Sequence, residues 1–257
     1  MKIEKNRVSN KIGTPFLNFI DKLILLTILF LVIIFIFYPM LSVISKSFIV
    51  NGEFTLDIYK SLLNKNIMLL KNSLFVAILT TLISTLLSIA VSIYISFTNS
   101  KYKKILTTIL MLTMISPPFV SSLAYISLFG RRGFITHNIL GFTANTYGWQ
   151  GIVAMQSLGF TSLNALMLIG VINGIDKSLF NGSLDLGGNS SCTITKILIP
   201  LMRPGIIVVG LLTFVRSLAD FSTPIIIGGS FNVLATQAYL NVVAYSDLPM
   251  AAAISIL

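Results

Sequence analysis

Residues 173–205 read NGIDKSLFNGSLDLGGNSSCTITKILIPLMRPG, a polar stretch set between the apolar runs 151–172 and 205–227. Within it Ile175, Leu179, Leu184 and Leu186 are apolar, yet the segment is too short to build a core of its own. Gly187-Gly188 permits a sharp turn, because glycine adopts positive φ at no steric cost. The spacing predicts two short helical pieces, the second over Thr193–Ile199 and ended by Pro200, which has no N–H to continue the ladder. Two short amphipathic helices on a turn make a plug that fits a groove in another protein. The alternative at this point is a loop lying along a membrane surface.

The flanks decide the solvent. The chain has 257 residues, 55% hydrophobic and 10% charged, with mean hydropathy +0.92. A soluble domain carries roughly 25% charged residues, so a water-soluble enzyme is excluded. A bilayer core needs about 20 consecutive apolar residues in helix. Runs of that length occur at Leu23–Ile44, Leu74–Phe97, Ile105–Phe129, Gly151–Ile172 and Gly205–Ile227, the last interrupted by Arg216 and Asp220. Met250–Leu257 begins another, and its 8 residues reach only about 12 Å in helix. The expected fold is an all-α transmembrane, polytopic helical bundle of five complete spans plus a truncated sixth. The first run is too long and too late in the chain for a signal peptide.

The formal charge of +10 is explained by topology and not by nucleic acid, because Lys and Arg are scattered between the apolar runs. Lys2, Lys5, Arg7, Lys11 and Lys22 precede the first span, Lys101, Lys103 and Lys104 follow the second, and Lys177, Lys196 and Arg203 lie between the fourth and fifth. Fewer basic residues fall on the other side, so the positive-inside rule places the N-terminus and the 173–204 loop in the cytoplasm. Residues 45–72 and 130–148 then face outward.

Three features stand out inside the spans. Thr80, Ser84, Ser88, Ser92 and Ser96 are spaced four apart on one helix face beside Ala77, Thr81 and Thr85. Small residues at this spacing form a helix-packing seam, the reading preferred over a substrate-lining stripe. Pro117 and Pro118 remove two backbone donors and kink or break the third span, either as a gating hinge or as a static kink. Arg216 and Asp220, four apart, share a helix face. They are either a polar element at the outer end of a transport path or, if the span ends near Val215, an interfacial pair. Pro224 and Gly228-Gly229 suit a short re-entrant or outward segment.

No phosphate-binding loop of the G-x-x-x-x-G-K-[ST] type and no G-x-G-x-x-G is present, so neither motif supplies an ATP or dinucleotide site. A single histidine, His137, and a single cysteine, Cys192, leave no basis for a disulfide framework, a multi-cysteine metal site or a Cys/His pair. No cofactor or metal is expected on this chain. An intramembrane enzyme or assembly factor finds no paired carboxylates or nucleophile here. A secondary transporter or channel fragment working without an ATPase would call for more intramembrane titratable groups.

The 173–205 stretch resembles the coupling loop of the permease subunits of type I ABC importers, the binding-protein-dependent kind. Their Glu-Ala-Ala triplet falls on Asn181-Gly182-Ser183, their glycine on Gly187, an isoleucine ten residues later on Ile197 and the closing proline on Pro200. Leu184-Asp185-Leu186-Gly187 and Ile199–Gly205 are also similar to the family, whereas the triplet itself departs from it. The resemblance runs from about residue 70 to 257, making 1–69 a cytoplasmic tail, a first span and an outward linker, and 70–257 the importer transmembrane domain with its loop at 173–204.

Within the family, Gly130–Thr136 with Tyr147-Gly148 and Gly151-Ile152, and Val215–Phe221 with Pro224, Gly228-Gly229 and Phe231–Thr236, look most like ferric-iron importer permeases. Permeases for phosphonate, sulfate, thiamine or polyamine are related alternatives. The resemblance implies a multi-pass protein of the bacterial inner membrane, surrounded by lipid. Its implied partners are a cytoplasmic ATPase dimer carrying ATP and magnesium, a second permease half or copy, and an extracytoplasmic substrate-binding protein. It implies that Gly187, Ile197 and Pro200 shape the coupling loop while Leu184 and Leu186 make the docking contact.

Overall fold

The computed structural model describes residues 14–50, 53–65, 67–98, 101–141 and 146–257, which are overwhelmingly helical. Among them, four helices are long and apolar enough to cross a membrane: Ile20–Phe48, Ile67–Phe97, Trp149–Asn173 and Ser190–Ala219. A fifth crossing is counted when the bent pair Tyr102–Ile115 and Phe119–Ile139 is taken as one. The chain divides into two units, Met1–Lys60 with Asp247–Leu257, and Ser61–Ser246.

The first unit holds α1 (Thr14–Val32) and α2 (Tyr38–Phe48), joined through a wide helical turn at Ile33–Phe37. Leu23, Ile24, Leu25 and Leu26 are all exposed, as are Phe35 and Ile36. A helix apolar on every side and uncovered by protein is matched to lipid, not water. A two-residue hairpin follows, β1 (Ile49–Val50) antiparallel to β2 (Glu53–Phe54), and then α3 (Asp57–Lys65). Phe48 stacks on Phe54 and Tyr59, and the Tyr59 hydroxyl donates to Ser47 Oγ at 3.0 Å.

The second unit is built on three long helices: α4 (Ile67–Phe97), then, after α5 (Tyr102–Ile115) and α6 (Pro118–Phe129), α7 (Trp149–Asn173), and finally the helix that enters α10 (Ile199–Ala219). Between α7 and α10 lie α8 (Ser178–Asp185) and α9 (Ser190–Thr193). Beyond α10 come α11 (Ser222–Ile227) and α12 (Leu234–Val243), while α13 (Leu248–Ile256) returns to the first unit and packs on α2. Asp247 caps α13 by accepting from Met250 N–H at 3.0 Å.

The serine stripe is a packing seam. Thr80, Ser84, Ser88 and Ser92 have no exposed surface, and α4 packs along both α7 and α10. Hydroxyls of this size let the backbones approach and bond across the contact. Asn164 Nδ2, for example, donates to Ser84 Oγ at 3.0 Å and to Thr213 Oγ1 at 2.7 Å, tying the three helices together. Gly205 extends the close fit, since a Cβ there would lie 2.8 Å from Val171 Cγ2.

The run 105–129 breaks at Ser116-Pro117, both extended, in agreement with the reading of the two prolines, and the segments on either side are bent by 112°. Two sequence expectations need correction. The run 205–227 ends at Ala219, and α11 is a separate short helix. Pro200 does not end the second loop helix, which continues unbroken from Ser190 to Ala219.

The reason for this last difference is a wide turn at Ile194–Leu198, closed by Ile199 N–H donating to Ile194 C=O, five residues back. Widening the helix moves the carbonyls away from the incoming pyrrolidine ring, which removes the clash that otherwise stops a helix. The same device recurs in the first unit, where the turn Ile33–Phe37 is closed by Tyr38 N–H immediately before Pro39.

Candidate functional site

At one end of the second unit α10 stops on Asp220, whose backbone turns extended with ψ 111°. The stop frees a carboxylate to satisfy its surroundings. Asp220 Oδ1 accepts from Ser222 N–H at 3.0 Å, Ser222 Oγ at 2.8 Å and Thr223 N–H at 3.2 Å, capping α11, while Oδ2 accepts from Gln156 Nε2 at 2.9 Å. Gln156 comes from α7 and is itself buried. Its Oε1 accepts from Ser217 Oγ at 2.7 Å and Thr80 Oγ1 at 3.2 Å. One amide therefore joins α4, α7, α10 and the start of α11. A buried amide whose oxygen accepts twice and whose nitrogen donates to a carboxylate rigidifies the contact, whereas an unpaired one would destabilise it.

Beside this junction lies a half-open cavity of about 770 Å³, within the usual size of small-ligand sites. Its apolar lining includes Leu112, Met114, Met155, Leu158, Phe160 and Leu163, and its polar lining Thr113, Ser116, Ser121, Gln156, Arg216 and Asp220. The break after α5 is what opens it, because Ser116, next to Pro117, sits on the wall and meets Ser121 Oγ at 3.2 Å. Pro117 has extended backbone and Pro118 begins α6, where the missing N–H is harmless. Arg216 is exposed in the cavity wall with its guanidinium 5.0 Å from the Phe160 ring centre. Arg216 and Asp220 thus share the cavity, but they make no ion pair with one another.

The opposite end carries the loop. Asp176 Oδ1 accepts from Ser178 N–H at 2.9 Å at the head of α8, and that backbone bond holds its carboxyl below the usual range. α8 ends in a paired backbone cap: Gly187 N–H donates to Leu184 C=O and Gly188 N–H to Ser183 C=O, both at 2.9 Å. Gly187 has φ +81°, and a Cβ on Gly188 would meet Ser183 O at 2.7 Å, so both positions require glycine.

Ser183 Oγ meets Thr193 Oγ1 at 2.8 Å, joining the two arms. Asn189 Oδ1 accepts from Cys192 N–H at 2.8 Å and caps the second arm. Phe180 anchors the loop edge-on to Phe97, 5.2 Å between centres, and packs with Ile175 and Ile194 against the core of Leu168, Leu198 and Met202. Leu179, Leu184 and Leu186 are left outside, Leu186 being 90% exposed. Asn181 is exposed, and Gly182, Ile197 and Pro200 are half-buried.

The structure therefore groups the expected residues into two places: Asn181, Gly182, Ser183, Leu184, Leu186 and Gly187 at the α8 turn with Ile197 and Pro200 on the second arm, and Arg216 and Asp220 in the cavity wall, with Pro117 and Pro118 following its wall residue Ser116 in the chain. Sequence reasoning passed over Gln156, Asn164 and Phe180. The first two were signalled by amides within an otherwise apolar run, and the third by an aromatic among smaller loop residues.

A family model for the binding-protein-dependent transport system inner membrane component matches residues 88–257. The chain belongs to that family. Its similarity to the ferric transport system permease protein of Actinobacillus pleuropneumoniae is 32% identity over 236 residues, 89% of this chain and 34% of that one. The chain spans between 34% and 37% of the length of its ferric relatives. The spermidine/putrescine transport system permease protein of Salmonella typhimurium is 26% identical over 92% of the chain and 88% of its own length. Among solved structures, a bacterial ABC transporter involved in the import of the acidic polysaccharide alginate superposes with TM-score 0.78, covering 97% of this chain and 92% of that one. At 21% identity this likeness is one of fold. Membership and membrane-length helices together make this a multi-pass inner-membrane protein.

Proposed function

We propose that the chain is a permease subunit of an ATP-driven importer and forms part of the membrane path for ferric iron delivered by a binding protein. The observation that carries this reading is the α8 turn. It is stiffened by a double backbone cap, fastened to the bundle by Phe180, and presents Leu184 and Leu186 outward at the end opposite the cavity. A rigid apolar knob joined to α10 is suited to receive a push from a partner and pass it along that helix to Arg216 and Asp220. The partners in this reading are a cytoplasmic ATPase pair binding ATP and magnesium, a second permease half or copy, and an extracytoplasmic binding protein.

In this arrangement the N-terminus and the 173–204 loop are cytoplasmic, residues 1–69 form a leading span and linker, and 70–257 form the transport domain. The bent α5–α6 pair counts as one of five spans, with α13 contributing to a sixth. Pro117, Pro118, Arg216 and Asp220 belong to the path or its gate. ATPase closure and binding-protein docking each favour one state of that gate, as any driven conformational change requires.

Iron is favoured over other solutes by the ferric relative's 32% identity across 89% of the chain. A polyamine is the second reading, supported by the 26% match to the spermidine/putrescine permease. Uptake of radio-iron and radio-spermidine by cells carrying or lacking the gene separates them. Iron uptake that requires both this chain and ATP supports the first reading. Spermidine uptake with that dependence replaces it, and uptake persisting after ATP depletion removes the importer reading altogether.

A further inference from the structure

We infer that the cavity beside Gln156 receives an anionic oxygen group, with Arg216 as its ligand, so that a metal ion passing this point does so inside an anionic complex and not bare. The inference rests on the permease reading and deepens it. A bare multivalent cation needs several free oxygen donors. The only carboxylate among the described residues of the cavity wall, Asp220, already accepts four hydrogen bonds, three from the head of α11 and one from Gln156. No cluster of three or more His, Cys, Asp or Glu side chains suited to a metal occurs among the described residues.

Arg216 is in the converse condition. Its guanidinium carbon lies 5.0 Å from the Phe160 ring centre, its N–H donors make no side-chain hydrogen bond among the described residues, and no acidic group of those residues lies within ion-pair distance. The aromatic ring holds the guanidinium plane without using its N–H donors, which is the disposition of an arginine set to grip a carboxylate or phosphate by its fork. The apolar side chains of the wall, Leu158, Phe160 and Leu163, offer no competing acceptor. The serine hydroxyls of Ser116 and Ser121 add small polar groups on the wall opened by the proline break.

The oxyanion arrives either free or as the ligand of a metal, and the test separates the two. The complete permease, purified in detergent with its partner half, is heated in the presence of inorganic phosphate, citrate, ferric citrate or spermidine, and the midpoint of unfolding is followed. Protection by an anionic probe, at least tenfold weaker in Arg216→Gln and intermediate in Arg216→Lys, is the expected result. Protection by citrate alone marks a free oxyanion, and protection by ferric citrate only marks one carried on a metal. Protection by spermidine, undiminished anion protection in Arg216→Gln, or no protection by any probe overturns the inference. Should Arg216→Gln fail to fold, Arg216→Lys, which keeps the charge and loses the fork, is expected to weaken anion protection by itself, and undiminished protection there counts against Arg216 as the ligand. Anion protection in a permease whose cells show no ATP-dependent iron uptake would remove the ferric reading and leave this one standing.

Discussion

Gln156 and Asp220 show how much one pair of side chains determines. Gln156 Oε1 is held by Ser217 and Thr80, so its amide nitrogen must face Asp220 and cannot turn round. Replacing Asp220 with Asn forces a choice between opposing two NH₂ groups and losing the α11 cap. Either outcome leaves a buried polar group unmatched, at a cost of about 1–3 kcal/mol. Asp220→Asn is therefore expected to lower the thermal midpoint of the permease. Adding Gln156→Glu restores every donor–acceptor match, and the double variant should recover most of the loss, a coupling that a double-mutant cycle measures directly. A second prediction concerns Gly188. An alanine Cβ there collides with Ser183 O, so Gly188→Ala should unwind the α8 turn and abolish uptake, with the purified bundle losing only about 1–3 kcal/mol.

At the scale of elements, the α4 seam depends on small side chains. Ser84→Leu or Ser88→Leu inserts bulk into a contact with no exposed surface. Overpacking of this kind costs about 1–3 kcal/mol, while Ser84→Ala is expected to cost less because the close approach survives. Thermal unfolding of the two substitutions in the same detergent checks the ordering. The long elements were legible because a crossing helix must show about 20 apolar residues in a row, and Pro117 announced the break after α5. What the sequence hid was geometry that depends on neighbours. Pro200 looks like a stop until the wide turn at Ile194–Leu198 is known, and Asp220 looks like half of an ion pair until its four donors are in view. Gln156 and Asn164 stood out as amides in an apolar run, but their partners Asp220, Thr80, Ser84 and Thr213 could not be read from sequence.

Across the whole molecule, the α8 turn and the cavity lie at opposite ends of one helical lever, Ser190–Ala219. Thirty residues in helix span about 45 Å, so a push at Thr193 is delivered near Arg216 only if that lever stays stiff. The seam with α4 and the Asn164 bridge hold it in register. Family membership was legible in the 173–205 stretch despite its altered triplet, because the turn needs two glycines more than it needs the triplet's side chains. The central claim is that this turn seats on a partner ATPase. Leu186, 90% exposed, is the position at which to test it, by placing a cysteine there and a second in the ATPase groove within the assembled complex. A disulfide that forms under mild oxidation and changes yield when ATP is added is the expected result. No crosslink from Leu186→Cys, while control cysteines in other loops react with their own partners, would contradict the account.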